Sequence, residues 1–240
     1  MNLLTIFVFV LVILLIYMVY TLMTQTTATV SGFSDASKTL TVAADTSANT
    51  ANNYGYSAWL YIDTWVSSTA STTTINKNVI TRCNATSTPL FSMYLDNDQN
   101  NLNVSISGNP LCTIRNVQLQ KWINLTMSVF GNTLDLYLDG KLVRTCILTT
   151  MPTALASSES VYVGGGYTVN TDKTIKINDT GDLQGYISNV VFKADYFTPE
   201  EAWSIYSAGY SGSGMFNFLT SYKLNFSITN NNQTIGQVSI

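Results

Sequence analysis

The sequence contains no histidine in its 240 residues. The chain therefore lacks the side chain that most often serves as a general base near neutral pH and as a metal ligand. Nucleophile pairs of the Ser–His or Cys–His kind are excluded for the same reason.

Charged residues are scarce. Lys and Arg number 11 and Asp and Glu number 14, which is 10% of the chain with a net charge of −3. A surface that follows nucleic-acid phosphates needs clustered basic residues, so a nucleic-acid partner is not expected. Low charge together with many Ser, Thr and Asn residues is typical of a β-sandwich whose outer faces are polar but uncharged.

Glutamate is especially rare, with only Glu159, Glu200 and Glu201 in the sequence. A glycoside hydrolase needs two carboxylates roughly 5 to 9.5 Å apart across the scissile bond. Glu159 falls in a predicted loop. The other two fall at the start of a predicted helix, where the positive end of the helix dipole stabilises their negative charge. No acidic pair occupies alternating positions on a predicted strand, so the sequence predicts a protein that is not an enzyme.

Cysteine is limited to Cys83, Cys112 and Cys146, so at most one disulfide can form within the chain. Cys83 ends the first strand of a predicted meander, and Cys112 follows the turn after its third strand. Both therefore fall at the same end of the sheet, which makes them the candidate pair. The alternative is three free thiols that pack as small hydrophobic groups.

Residues 3–23 contain no charged side chain. Such a run is long enough to cross a bilayer as a helix, which predicts a transmembrane anchor at residues 1–24. The alternative is a cleaved signal peptide, but the apolar part of a signal peptide is usually shorter. Residues 25–53 are rich in Thr, Ser and Ala and are predicted to be a tether that includes a first strand.

The stretch 122–143 predicts three strands in a meander. Apolar residues alternate with polar ones at 123–129 and again at 134–138. Gly131-Asn132 suits a type II′ turn between the first two strands, and Asp139-Gly140 is the signal of a type I′ turn before the third.

Similar patterns predict the remaining elements. Residues 56–66 are apolar on both alternating faces, which indicates a central strand, and further strands are predicted at 79–83, 91–96, 102–107, 161–163 and 186–192. Thr198, Pro199 and Glu201 form a capping-box sequence that begins a helix, which should end near Gly209. Residues 211–240 are a C-terminal extension with the pattern of a β-hairpin.

Four landmarks in this order carry a family resemblance: Lys121-Trp122, TLDLYLDGKLV at 133–143, VYVGGG at 161–166 and LQGYISNVVFKADYFTPEE at 183–201. The sequence resembles the laminin G-like domains of the concanavalin A-like lectin/glucanase superfamily. The resemblance implies an all-β jelly-roll sandwich of two antiparallel sheets over residues 54–210, with the anchor before it and one short helix near its end. That fold serves lectins, adhesion modules, glycanases and structural proteins alike, so it does not decide the function.

The resemblance also directs attention to calcium, which laminin G-like domains often hold at rim loops. Asp96, Asp98 and Asn100 are the candidate ligands, because calcium prefers carboxylate and amide oxygens. The same residue types are the ordinary residues of tight turns, and that alternative needs no metal.

Aromatic side chains are the other candidate contacts, since an exposed ring can stack against a sugar. The candidates are Trp59, Tyr61, Trp65, Trp122 and Tyr137. Trp59 and Trp122 look like the core tryptophans of laminin G-like domains. Of the other three, Trp65 and Tyr137 are the predicted glycan contacts.

Together these features predict a single-pass membrane protein with a non-enzymatic structural or binding module. It resembles the membrane-anchored laminin G-like proteins of large DNA viruses, which implies a virion location and the role of a minor capsid protein that links an internal membrane to the shell. The expected partners are the lipid bilayer, through residues 3–23, and other structural proteins. The alternative is a glycan-binding or adhesion ectodomain at a cell or virion surface.

Overall fold

A computed structural model describes residues 11, 13–14, 17, 27–44, 52–67, 75–107, 109–156, 158–170 and 172–210, together with the backbone of two strands in 225–239. The predicted membrane span at 3–23 lies largely outside these residues. Within it, Leu11, Ile13, Leu14 and Tyr17 have a helical backbone and exposed side chains. The described residues contain no helix both long and apolar enough to cross a membrane.

From residue 27 onward, the regular secondary structure of the described residues consists of strands and one short helix. In chain order the strands are β1 (Thr27–Ser31), β2 (Ser34–Asp35), β3 (Leu40–Ala43), β4 (Tyr54–Trp65), β5 (Asn76–Cys83), β6 (Pro89–Leu95), β7 (Leu102–Ile106), β8 (Cys112–Ile114), β9 (Trp122–Phe130), β10 (Thr133–Leu138), β11 (Lys141–Ile147), β12 (Ser160–Val163), β13 (Gly166–Val169), β14 (Ile175–Asn178), β15 (Leu183–Lys193), β16 (Asn225–Asn230) and β17 (Gln233–Ser239). One helix, α1 (Pro199–Ala208), follows β15.

The strands form two antiparallel sheets and a separate hairpin. The first sheet has the order β1-β15-β4-β9-β10-β11, with β2 also paired to β15. The second has the order β14-β13-β5-β6-β7-β8, with β12 placed between β3 and β5. In the C-terminal extension, β16 pairs with β17. The predicted all-β fold of two antiparallel sheets with one short helix is confirmed.

The core lies between the two sheets and follows from alternation along the strands. On β9 the apolar residues from Ile123 to Val129 are buried against the second sheet, as the sequence pattern predicts. The polar residues between them are buried on the other face, where they bond to one another. Asn124 Nδ2 donates to Ser57 Oγ at 3.1 Å, and the hydroxyls of Ser57 and Thr126 are 2.8 Å apart. The central strand β4 is therefore covered on both faces, as its sequence predicts.

Both predicted hairpin turns are confirmed. Gly131 has a φ of 56°, and Asp139 and Gly140 have φ values of 50° and 72°, as type II′ and type I′ turns require. Asp139 also accepts a hydrogen bond from the Asn124 backbone N–H at 2.9 Å, so the second turn is held against β9.

Helix α1 begins with the predicted capping box. The Glu201 N–H donates to Thr198 Oγ1 at 3.2 Å, and the Thr198 N–H donates to Glu201 Oε2 at 2.8 Å. Burial alone would raise the pKa of Glu201, but the 2.5 Å bond from the Lys193 ammonium and the bonds to Thr198 lower it overall. Helix α1 is thereby fixed against the end of β15.

An ion pair is buried inside the sandwich. Arg82 on β5 is completely buried and pairs with Glu159, whose side chain is 5% exposed. The remaining guanidinium donors bond to the Tyr56 hydroxyl and to the Ala156 carbonyl, both at 2.9 Å. Every nitrogen of the arginine thus has an oxygen partner, which is the condition for burying such a charge.

The disulfide differs from the expected pair. Cys112 on β8 bonds to Cys146 on β11, with their Cα atoms 6.1 Å apart, while Cys83 is free and buried. The prediction of a Cys83–Cys112 bond is therefore wrong, because β8 and β11 are edge strands of opposite sheets that meet at one side of the sandwich. Burial raises the pKa of the Cys83 thiol to about 12.

Candidate functional site

Three aromatic residues stand side by side on the outer face of the first sheet. Tyr61 on β4 lies directly opposite Trp122 on β9 and opposite Tyr186 on β15. The ring centroids of Tyr61 and Trp122 are 5.5 Å apart, and those of Tyr61 and Tyr186 are 6.4 Å apart. Strand alternation places this row on the face away from the core, because each ring is next to a buried residue in sequence.

Two further rings extend the row. Phe33, between β1 and β2, stacks on Tyr186 with a centroid distance of 5.1 Å, and Tyr210, after α1, stacks on Trp122 at 4.6 Å. The Ser188 hydroxyl donates to the Tyr210 carbonyl at 2.7 Å and so holds the chain after the helix against β15. We call these five residues the aromatic platform: Phe33, Tyr61, Trp122, Tyr186 and Tyr210.

The aromatic platform is open to solvent. Phe33 is 64% exposed, Tyr186 43% and Tyr210 46%, while Tyr61 and Trp122 are half-buried. Clustered exposed rings differ from scattered ones, because a contiguous apolar patch on a soluble domain usually marks a contact with a ligand or partner. Trp59, one row further along β4, is instead buried beneath Tyr206 of α1 at a centroid distance of 5.7 Å. The helix therefore sets one border of the platform.

A carboxylate lies at the edge of the aromatic platform. Asp35 on β2 stands opposite Tyr186, so both side chains lie on the same face of the sheet. The hydroxyl and backbone N–H of Ser37 donate to Asp35 Oδ1 at 2.7 and 2.9 Å, and these bonds lower the pKa of Asp35. The carboxylate is thus ionised at neutral pH and held in place, with Oδ2 directed toward the exposed Lys38 ammonium at 3.7 Å.

The predicted glycan contacts fall elsewhere. Tyr137 is only 2% exposed, so its assignment as a glycan contact is wrong; it lies opposite Thr126 in the covered part of the outer face. Trp65, at the end of β4, packs against the core, and the Lys77 ammonium lies 4.8 Å from its ring centroid. Of the wider set of candidates, only Tyr61 and Trp122 belong to the aromatic platform, so the assignment of Trp122 to the core is wrong.

The remaining platform residues were not predicted from the sequence. Phe33, Tyr186 and Tyr210 come from three separated segments, and only the strand order brings them together. A partial signal exists for Tyr186, because its outward position follows from the alternation of residues 183–188 around buried Ile187.

Two of the three predicted calcium ligands make internal hydrogen bonds. Asp96 accepts bonds from Asn101 Nδ2 at 3.1 Å and from Asn103 Nδ2 at 2.5 Å, while Asn100 Nδ2 donates to the Val117 carbonyl at 2.8 Å. Such bonds are those of turn chemistry.

A lysine supplies positive charge beside the same loop. The Lys77 ammonium donates to the Asn97 carbonyl at 2.6 Å. Burial lowers the pKa of Lys77, whereas the charges of Asp182, Asp98 and Asp96 act in the opposite direction.

No group of three acidic or cysteine ligands occurs in the part of the chain that the structure describes. Calcium at Asp96, Asp98 and Asn100 stays a prediction.

Comparisons with known proteins agree with this architecture. A laminin G type of family model, described as the concanavalin A-like lectin/glucanases superfamily, matches residues 34–203. A search of curated proteins found no match.

Three solved structures illustrate the likeness. The botulinum neurotoxin serotype D binding domain is 13% identical with a TM-score of 0.50, over 75% of this chain and 42% of that one. The receptor binding domain of botulinum neurotoxin mosaic serotype C/D is 13% identical with a TM-score of 0.50, over 72% and 41%. A Trypanosoma rangeli sialidase is 15% identical with a TM-score of 0.47, over 65% and 23%.

The chain thus spans less than half the length of each of these structures. At 13% identity the likeness to the two neurotoxin domains concerns the fold alone. The family match, in contrast, covers more than half of the present chain and includes every strand of the two sheets except β1. This protein belongs to the concanavalin A-like lectin/glucanases superfamily.

Proposed function

We propose that this chain is a non-catalytic binding module that holds a glycan on the aromatic platform. The observation that carries the proposal is the row of Tyr186, Tyr61 and Trp122 in direct register on three neighbouring strands, with Phe33 and Tyr210 stacked at its borders. Rings fixed by a sheet lose little conformational freedom when they bind, so their contact area favours binding with a small entropic cost.

The chemistry of the surface suits a sugar. A pyranose ring presents an apolar C–H face, which packs on an aromatic ring, and hydroxyls at its border, which need polar partners. The ionised Asp35 beside Tyr186 accepts such hydroxyl donors, while the phenol groups of Tyr61 and Tyr186 both donate and accept.

The positions of the glutamates support a non-catalytic role. Glu159 is buried in its pair with Arg82, and Glu201 is held by Thr198 and Lys193 in the helix cap. Glu200 is exposed in the first turn of α1. Glycoside hydrolysis needs two carboxylates on either side of an open cleft. None of these three glutamates lies in such a position.

A glycan-binding experiment tests the proposal. The full chain, purified in mild detergent, is applied to a glycan microarray, and its affinity for the best oligosaccharide is then measured by calorimetry. Replacing Phe33 and Tyr186 together by serine should weaken binding at least about tenfold, because contact rings are commonly worth 1–2 kcal/mol each. Both side chains are exposed, so the unfolding midpoint should change little.

Phe130 provides the matched control. It is 54% exposed on the same sheet and contacts Tyr196 at a centroid distance of 4.6 Å, outside the aromatic platform. Phe130→Ser should leave the affinity for the oligosaccharide unchanged. The proposal fails if no glycan binds, or if the Phe33 and Tyr186 variant binds as tightly as the unaltered chain.

A membrane-tethered structural role is the second candidate, and one observation favours it. Leu11, Ile13, Leu14 and Tyr17 have a helical backbone and expose between 46% and 65% of their surface, as residues that face lipid would. In this role the module would be a minor capsid protein that joins a membrane to structural proteins of a virion.

Flotation with liposomes tests the tether. The full chain should rise with the vesicles, and a chain that lacks residues 3–23 should stay in the dense fraction. Equal distribution of the two proteins would contradict the anchor. Chemical cross-linking within the native assembly would then show whether a protein or a glycan covers the aromatic platform.

A further inference from the structure

A polar pocket lies at the side of the sandwich where the disulfide joins the two sheets. Its volume is about 500 Å³, which is within the usual range for small-molecule sites. Arg115 follows β8 at the edge of the second sheet, and Arg144 belongs to β11 at the edge of the first; both line the pocket. The pocket shares no residue with the aromatic platform.

The two arginines carry free positive charge. Both are exposed, and the ion pairs of the described residues involve other partners, so neither guanidinium has a carboxylate within 4.0 Å in this part of the protein. The chain holds only 11 basic residues and is acidic overall, so two unpaired arginines at one pocket stand out from its background charge. Asp96 is the one acidic residue of the lining, and the two arginines outnumber it. Its carboxylate accepts bonds from the amides of Asn101 and Asn103.

The neutral lining is held rigid by its own hydrogen bonds. Thr113 Oγ1 donates to Asn103 Oδ1 at 2.6 Å across the β7–β8 pair, and the Asn116 N–H donates to Asn101 Oδ1 at 3.2 Å. Together with Gln99, these residues surround the arginines with amide and hydroxyl groups, and Leu111 is the one apolar residue of the lining. Such a lining suits a ligand with several hydroxyls, because each can exchange hydrogen bonds with a fixed partner.

We propose that this pocket binds an acidic monosaccharide, with its carboxylate between Arg115 and Arg144 and its hydroxyls on the surrounding amide and hydroxyl side chains. A planar guanidinium binds a carboxylate through two parallel N–H donors, which lysine cannot reproduce. The inference concerns a second site and does not depend on the aromatic platform.

The disulfide is what keeps the two halves of the pocket together. Cys146 lies two residues after Arg144 on β11, and Cys112 immediately precedes Thr113 on β8. Arg144 stands opposite buried Leu136 and Cys146 opposite buried Leu134, so both start on the face of β11 that is turned toward the other sheet. The disulfide therefore holds β11, which carries Arg144, against β8, which is followed directly by Arg115.

The test compares sodium glucuronate with glucose, which has the same ring without the carboxylate. Binding to the full chain in detergent is followed by calorimetry or ligand-observed NMR. Glucuronate should bind at least about tenfold more tightly than glucose, and Arg115→Gln with Arg144→Gln should remove that difference. Arg144→Lys keeps the charge but loses the planar fork, so it should weaken glucuronate binding severalfold.

Lys141→Gln is the matched control, because it removes one charge from an exposed position on the same strand as Arg144. It should leave glucuronate affinity unchanged, and so should the Phe33 and Tyr186 variant of the aromatic platform. A variant with Cys112→Ser and Cys146→Ser that remains folded by circular dichroism should bind glucuronate severalfold more weakly.

Several results would overturn the proposal. Equal affinity for glucose and glucuronate would exclude a role for the carboxylate. Equal affinity for acetate would exclude recognition of the sugar. A loss with Lys141→Gln as large as that with the combined Arg115→Gln and Arg144→Gln variant would reduce the site to general charge attraction.

Discussion

Replacing Glu159 with glutamine is expected to lower the free energy of unfolding by about 3–5 kcal/mol. The substitution keeps the shape of the side chain but leaves the fully buried Arg82 guanidinium without a counter-charge. The guanidinium also donates hydrogen bonds to the Tyr56 hydroxyl and the Ala156 carbonyl, but these oxygens are neutral and cannot replace a carboxylate. Urea unfolding at neutral pH, monitored by tryptophan fluorescence, measures the change.

Two further variants separate charge from packing. Glu200→Gln removes an exposed acid of the helix and should change the free energy of unfolding by no more than about 0.5 kcal/mol. Arg82→Met with Glu159→Met removes both charges from the core and should recover at least half of the loss, because burying an ion pair carries its own desolvation cost. If the double variant is less stable than Glu159→Gln, the packing of the arginine rather than its charge governs stability here.

The features that sequence analysis predicted correctly depend on local chemistry. The turns at Gly131 and at Asp139-Gly140 need only the backbone freedom of those residues, and the capping box needs only Thr198 and Glu201 three positions apart. The meanders follow from alternation over short stretches of chain. Such signals specify the elements and their neighbours along the chain, and therefore most of the sandwich.

The candidate sites depend on contacts between distant segments, and local sequence patterns predict few of those contacts. Phe33 and Tyr186 are far apart in the chain, and their rings meet only because β2 pairs with β15. Tyr137 alternates outward as predicted, yet the outward face at that point is covered. Alternation assigns a side chain to one face of a sheet but does not tell which part of that face is covered by a helix or a loop.

The cysteine pairing shows the same limit. The meander correctly placed Cys112 next to the strands that follow Cys83, but strand pairing within one sheet says nothing about the opposite sheet. Cys146 reaches Cys112 because β11 and β8 end their sheets on the same side of the sandwich. That arrangement is a property of the whole topology and is not encoded in the spacing of the three cysteines.

Loss of the disulfide is expected to have the second large effect on stability. Cys112→Ser with Cys146→Ser should lower the free energy of unfolding by about 3–4 kcal/mol, because the bond closes a loop of 34 residues and restricts the unfolded chain accordingly. Urea unfolding of the variant, compared with the unaltered chain in oxidising and in reducing buffer, measures the difference. The reduced chain and the double serine variant should unfold at similar urea concentrations.

Cys83→Ala is the control for this experiment. The thiol is free and buried, so its replacement should cost about 1 kcal/mol of packing and should leave the sensitivity to reducing agent intact. The opposite pattern, in which Cys83→Ala abolishes the response to reduction, would mean that Cys83 takes part in the bond.

Breaking the disulfide should also loosen the polar pocket, because β8 and β11 are edge strands that carry Thr113 and Arg144. The pocket should loosen before the centre of the sandwich, where β4 and β5 are paired on both sides.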